Sequence, residues 1–141
     1  MSASYTRLFV HLVWSTKLRE PFITPAIASR LNGFLSSRCV ALKCVALAAG
    51  GMEDHVHALV GLHPSVAVAK LVRELKASSA GFVHRAFGQP QFEWQTGYGA
   101  FTLRETEVEL VRRYILDQRR HHTEGSTVLD WELDSPPIIP P

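Results

Sequence analysis

Two histidines separated by a single residue, His55-Val56-His57, are the first group in this chain whose spacing suggests chemistry. In an extended strand alternate side chains share a face, so both imidazoles project to one side about 6.5 to 7 Å apart along the backbone, with Val56 turned the other way. Imidazole is the commonest nitrogen ligand of metals, and a strand holds two of them rigidly enough to converge on one ion. The same spacing also fits two ordinary, partly exposed strand histidines. A second group lies near the C-terminus, where Tyr114 and Gln118 stand four apart in the helical stretch VELVRRYILDQRRHH. Four residues are about one helical turn, so a phenol and a carboxamide, a nucleophile and an oxygen ligand, could reach one site. Taken alone, Tyr114 fits better as an extension of the apolar stripe of Val108, Val111 and Ile115, with its hydroxyl at the rim.

The elements that must position these groups follow from periodicity. Leu8 to Thr16 reads as a strand with Phe9, His11, Val13 and Ser15 on one face and the more apolar residues on the other. Thr24 before Pro25 marks a helix start, and Ile27, Leu31, Phe34 and Leu35 carry that helix to about residue 38. Val40 to Ala49 reads as a strand punctuated by Gly50-Gly51, with His55 to Leu62 as its hairpin partner. Ser65 is placed to cap a helix running to about Phe87, with Val68, Leu71, Val72, Leu75, Ser79, Phe82 and Val83 on one stripe. Gln91 to Leu103 has aromatic strand character broken by Gly97 and Gly99, which suggests a bent strand or hairpin. Thr106 with Glu109 has capping-box spacing, so the last helix is expected to start near residue 106.

This order predicts a ferredoxin-like α+β fold: an antiparallel sheet with helices on one face, plus a C-terminal helix carrying Tyr114. A chain of 141 residues is the size of one domain, here expected over 1–134, followed by a Pro-rich tail over 135–141. Cys39 and Cys44 fall at odd spacing in what reads as strand, which points them to opposite faces and argues against a disulfide. No apolar run approaches the roughly 18 to 20 residues of a membrane span, and the N-terminus lacks a secretory pattern, so a cytoplasmic protein is expected. The net charge of +2 neither demands nor excludes nucleic acid, but Arg112, Arg113, Arg119 and Arg120 crowd around one short segment.

Taken together, the histidine strand, the Tyr-x-x-x-Gln helix and the small α+β domain resemble the HUH single-tyrosine transposases of the insertion-sequence and REP-associated kind. The resemblance spans several blocks in order: HLVWSTKLREP, EDHVHALV, LVRELKASSA, WQTGYGAF and YILDQ. It implies that His55, His57 and Gln118 bind a divalent metal and that Tyr114 attacks DNA. Mixed nitrogen and oxygen ligation suits Mn²⁺ or Zn²⁺ by affinity, while Mg²⁺ is the usual partner of phosphoryl transfer, so Mg²⁺ or Mn²⁺ is expected. His121 and His122 could compete with Gln118, and Asp54 or Glu53 could join the metal rather than only shape the turn. The expected substrate is single-stranded DNA, with hairpins implied by the resemblance, and no nucleotide cofactor is needed. Lys17, Arg19, Lys76, Arg112, Arg113 and Arg119 are the expected DNA contacts, with Trp94, Tyr98 or Phe101 available for stacking on bases.

The resemblance further implies a homodimer in which each tyrosine helix docks on the partner's histidines. Arg104 and Glu105 depart from the serine-containing turn that often precedes this helix. A histidine-triad hydrolase would need a third histidine where Leu59 stands. The stronger alternative is a domesticated host protein of the same fold that processes hairpins without transposing.

Overall fold

A computed structural model of the chain describes residues 4–118 and Ile139. Strand β1 (Phe9–Ser15) leads through a short 3-10 turn to helix α1 (Pro25–Ala41). Strands β2 (Val45–Met52) and β3 (His55–Gly61) form a hairpin, followed by helix α2 (Val68–Phe87), strand β4 (Gly99–Thr102) and helix α3 (Val108–Leu116). The sheet order is β2-β3-β1-β4 and every pair is antiparallel, the ferredoxin-like arrangement expected from the element order.

Alternation divides the sheet into two faces of different chemistry. Val10, Leu12 and Trp14 of β1 and Val56, Ala58 and Val60 of β3 turn toward α1 and α2, where they meet Leu31, Leu35, Leu71 and Leu75 in the main core. Burying each such aliphatic side chain contributes on the order of 1.5–3 kcal/mol relative to exposure. The opposite face carries His11, Val13 and Ser15 opposite Leu59, His57 and His55. This second face is covered by α3, whose Val111 and Ile115 pack on Ala48 and Leu59. Helices α1 and α2 therefore lie on one side of the sheet and α3 on the other.

Several boundaries differ from the sequence reading for physical reasons. Val40 and Ala41 belong to α1, whose end is closed by Leu42, so the following strand starts at Val45 rather than Val40. Cys39 consequently sits on a helix and Cys44 in the connecting turn; both are buried in the main core as free thiols, and burial pushes Cys39 up to about 12. Ser65 does not cap α2, since its N–H and hydroxyl engage His63 Nδ1 instead. In the 3-10 turn 105–107 that leads into α3 the Glu107 carboxylate accepts the Arg104 N–H at 2.9 Å, so the box forms two residues earlier than Thr106 and Glu109 suggested, and α3 itself starts at Val108. The tail expected over 135–141 and the helical continuation beyond Gln118 lie outside the described residues, Ile139 excepted.

Gly50 and Gly51 lie inside β2 rather than after it. A bulge between Ala46 and Ala48 shifts the register so that Ala48, Gly50 and Met52 face α3, with Gly50 directly beside His57. A Cβ at Gly50 would lie 2.6 Å from the Ile115 carbonyl oxygen, so only glycine lets the end of α3 settle this close to the sheet. We expect Gly50→Val to lose about 1–3 kcal/mol of stability in urea titration through this overlap. Gly33→Ala, in open space on α1, should instead gain about 0.5–1 kcal/mol. Equal effects at the two positions would contradict the close helix–sheet approach.

Candidate functional site

The face beneath α3 holds an unusual burden of buried polar groups. His57 is 0% exposed, His55 2%, Gln118 2% and Tyr114 3%. Removing such groups from water is costly unless each is hydrogen-bonded, so their clustering signals a site held together by its own contacts. His55 and His57 project from β3 as the spacing predicted, with ring centroids 5.1 Å apart and planes at 72°. Helix α3 carries Tyr114 across the sheet until its ring lies 6.1 Å from that of His57, edge to face.

Gln118 follows the last turn of α3 and closes it. Its amide nitrogen donates to the Tyr114 carbonyl at 3.2 Å, which satisfies one of the orphan carbonyls at the helix end. That bond fixes the carboxamide orientation, and its oxygen then lies 3.3 Å from His55 Nε2. Behind His55, the Asp54 carboxylate meets Nδ1 at 2.8 Å and is itself held by Arg19 Nε at 3.1 Å. Burial pushes the Asp54 carboxyl up, but its hydrogen bond to His55 and the charges of His55 and Arg19 outweigh that and hold it below its ordinary range. With Nδ1 of His55 engaged by Asp54, its Nε2 faces the Gln118 oxygen, so these two donors point toward one another.

The donors that could hold a metal are thus two imidazoles and one carboxamide. Among the described residues no three His, Cys, Asp or Glu side chains form a metal cage. Asp54 supports a histidine from behind. An open cleft of about 460 Å³ lined by Arg19, Pro21, Met52, Glu53, Asp54 and His55 leads to this edge of the site.

The five expected DNA contacts among the described residues separate. Lys17 and Arg19 lie in the turn after β1 beside the cleft, paired with Glu93 and Asp54. Arg112 and Arg113 lie on α3 and share Glu109. Lys76 sits on α2, across the sheet, where it donates to the carbonyls of Gln95 and Gly97 at 2.6 and 2.9 Å, and burial lowers its pKa. Its visible work is to tie down the segment before β4. Arg119, like His121 and His122, lies outside the described residues. Of the three aromatics, Trp94 is core: it packs edge-on against Trp14 and Phe92 and donates to Ser79 Oγ at 3.0 Å. Tyr98 is exposed, and Phe101 packs against His11.

Comparisons with known proteins identify the family. The family model described as "Transposase IS200 like" matches residues 4–118. The chain therefore belongs to the IS200-like transposase family, whose members are DNA-processing enzymes. The ISDra2 transposase TnpA of Deinococcus radiodurans is 26% identical over 118 residues, covering 79% of this chain and 84% of that protein. A crystal structure of a proposed transposase from Deinococcus radiodurans R1 superposes with a TM-score of 0.68 at 27% identity, over 84% of this chain and 95% of that one. The structure of a REP-associated tyrosine transposase bound to a REP hairpin shares the fold, with a TM-score of 0.60 at 13% identity over 99% of this chain and 98% of that one. No helix among the described residues is long and apolar enough to cross a membrane.

Sequence reasoning did not find three contributors to the site: His11, Gly50, and the turn that holds Arg19. His11 was assigned to the correct strand face, but nothing in a lone histidine signals a neighbour 46 residues away. In the turn, Leu18 and Arg19 adopt left-handed backbone angles, φ 56° and 57°, which glycine tolerates and side chains resist. The conformation is imposed by Thr16, whose N–H and hydroxyl bond the Asp54 carbonyl at 2.9 and 3.2 Å, and by Gln95, whose oxygen accepts the Leu18 N–H. A left-handed residue with a Cβ costs about 1–2 kcal/mol, of which glycine's extra unfolded-state entropy takes back about 0.5–1. Leu18→Gly should therefore raise stability by up to about 1 kcal/mol in urea titration; a loss of that size would mean that the turn does not impose the conformation.

Proposed function

We propose that this chain is a metal-dependent single-strand DNA endonuclease and strand transferase that works through a 5′-phosphotyrosine on Tyr114. The observation that carries the reading is the docking of α3, which sets one phenol and one carboxamide against a histidine pair on the sheet. Membership of a transposase family supplies the substrate class. The domain acts as a single unit in this reading.

The metal ligands in this proposal are His55, His57 and Gln118, with Mg²⁺ or Mn²⁺ as the ion. When bound, the ion would neutralise the scissile phosphate and polarise its P–O bond. All three protein donors are neutral, so the cation's charge is left to be met by the phosphate. Tyr114 loses its proton and its oxygen attacks phosphorus in line. A Tyr–O–P bond forms, the bond from phosphorus to the 3′ oxygen breaks, and that oxygen takes up a proton as a free 3′-hydroxyl. The phosphotyrosine keeps the energy of the phosphodiester, so a second 3′-hydroxyl can reverse the step on a new strand without ATP. Lys17, Arg19, Arg112, Arg113 and Arg119 are the proposed contacts to the strand, and Lys76 acts through the loop it ties. The hairpin held by one structural relative supports a substrate in which a hairpin sits beside the cleaved single strand.

We expect Tyr114→Phe to abolish cleavage of a single-stranded oligonucleotide while leaving affinity for it within about tenfold, since only the attacking oxygen is lost. His57→Ala should remove both cleavage and its dependence on added Mg²⁺ or Mn²⁺ without unfolding the domain, as judged by circular dichroism. Wild-type cleavage in excess EDTA would make the histidines structural.

The proposal includes the homodimer with exchanged helices that the resemblance implies. In the single chain α3 packs on its own β2 and β3, so the site also assembles in cis. Exchange would require the segment between β4 and α3 to swing away while keeping the same contacts on the partner. Mixing Tyr114→Phe with His57→Ala chains distinguishes the two. Random reassortment gives about half mixed dimers with one working site each, so exchange restores up to roughly a quarter of wild-type cleavage. No recovery after verified subunit exchange would assign catalysis to the cis arrangement.

A further inference from the structure

His11 belongs neither to the histidine pair nor to the tyrosine helix, yet it is buried as deeply as they are, at 1% exposure. It stands on β1 opposite Leu59 of β3 and Phe101 of β4, and the Phe101 ring closes one side of it at 5.8 Å. On the other side its ring stacks on His57, centroids 5.0 Å apart and planes 29° apart, with His11 Nε2 2.7 Å from His57 Nδ1. At that distance one nitrogen must carry the proton and the other accept it, because two N–H groups or two bare lone pairs would repel.

The direction of that bond follows from what His57 would have to do. A neutral imidazole that ligates a cation through Nε2 carries its proton on Nδ1. His57 Nδ1 then donates, His11 Nε2 accepts, and His11 keeps its own proton on Nδ1. We propose that His11 is a positioning residue for the metal site: it holds His57 in the Nδ1–H tautomer and fixes its ring plane, so that the lone pair with which His57 would meet an ion lies on Nε2. This inference rests on the metal-site reading above.

The two histidines are thus supported from behind by unlike groups. Asp54 serves His55 at the rim, where Arg19 balances its charge. His57 lies at the fully buried end, between β1 and α3, where an unbalanced carboxylate would be costly. A neutral imidazole can accept the same proton there without bringing a charge. Because its Nε2 is committed to the back of His57, His11 acts through that residue rather than as a third ligand.

The test uses full-length protein, with Mn²⁺ affinity measured by titration calorimetry and histidine tautomers read by two-bond ¹H–¹⁵N correlation spectra in the metal-free and Zn²⁺-loaded states. We expect His57 to be protonated at Nδ1 in both states. His11→Phe keeps a planar ring but loses the acceptor, and should weaken Mn²⁺ binding by about 10- to 100-fold. His11→Gln, whose carbonyl can accept, should recover a measurable part of that loss. A folded His11→Phe protein with wild-type Mn²⁺ affinity, or a His57 protonated at Nε2, would overturn the proposal. If His11→Phe does not fold, the wild-type spectra decide alone. Wild-type protein that bound no Mn²⁺ would sink the metal-site reading itself, an outcome distinct from binding that is insensitive to His11.

Discussion

The approach of the end of α3 to β2 is the constraint on which the site depends. Gly50 has no Cβ, and the Ile115 carbonyl occupies the space where one would be. Ile115 and Val111 anchor the helix on Ala48 and Leu59, a small apolar contact compared with the main core across the sheet. Everything polar in the site is distributed around that contact. Tyr114 precedes Ile115 and reaches His57, and Gln118 folds back on the Tyr114 carbonyl to reach His55. A helix held a few ångströms farther out would leave the histidines wet and the phenol away from them.

The modest size of that contact has a consequence for dynamics. Local opening free energies follow the apolar area an element buries, and α3 is a nine-residue helix with one apolar face. Tyr114 is buried when α3 is docked, so in the proposed reaction a DNA strand would have to reach its oxygen by way of the cleft at the Arg19–Asp54–His55 edge or after some displacement of the helix. The strained turn at Leu18 and Arg19 lies on that edge and is tied to Asp54 through Thr16.

Much of this was legible in the sequence, and the reasons are specific. The period of two in β1 and β3 separates the core residues from the histidines, so His55 and His57 could be placed on one face before any coordinates. The order of elements fixed the ferredoxin-like topology, and family resemblance joined the tyrosine helix to the histidine strand. What could not be read were non-local facts. The bulge that turns Gly50 toward α3 depends on pairing with β3, and His11 gains its meaning only when β1 lies beside β3. The helix ending at Ala41 rather than near residue 38 reflects tertiary burial of Cys39 in the core, which residue propensities do not encode. The expected DNA contacts could be named only by charge, because a surface cation's neighbours are set by the fold; Lys76 donates to carbonyls of its own chain.

The central claim is that one particular oxygen becomes covalently joined to DNA, and it can be read directly. Protein incubated with a single-stranded oligonucleotide carrying the cleavable site, with Mn²⁺ present, would be denatured, digested with nuclease and trypsin, and examined by tandem mass spectrometry. The account predicts a nucleotide 5′-phosphate on the peptide Tyr114-Ile115-Leu116-Asp117-Gln118-Arg119, with fragment ions assigning it to the tyrosine. A nucleotide mapped to Tyr5 or Tyr98, or cleaved DNA with no modified peptide, would contradict it.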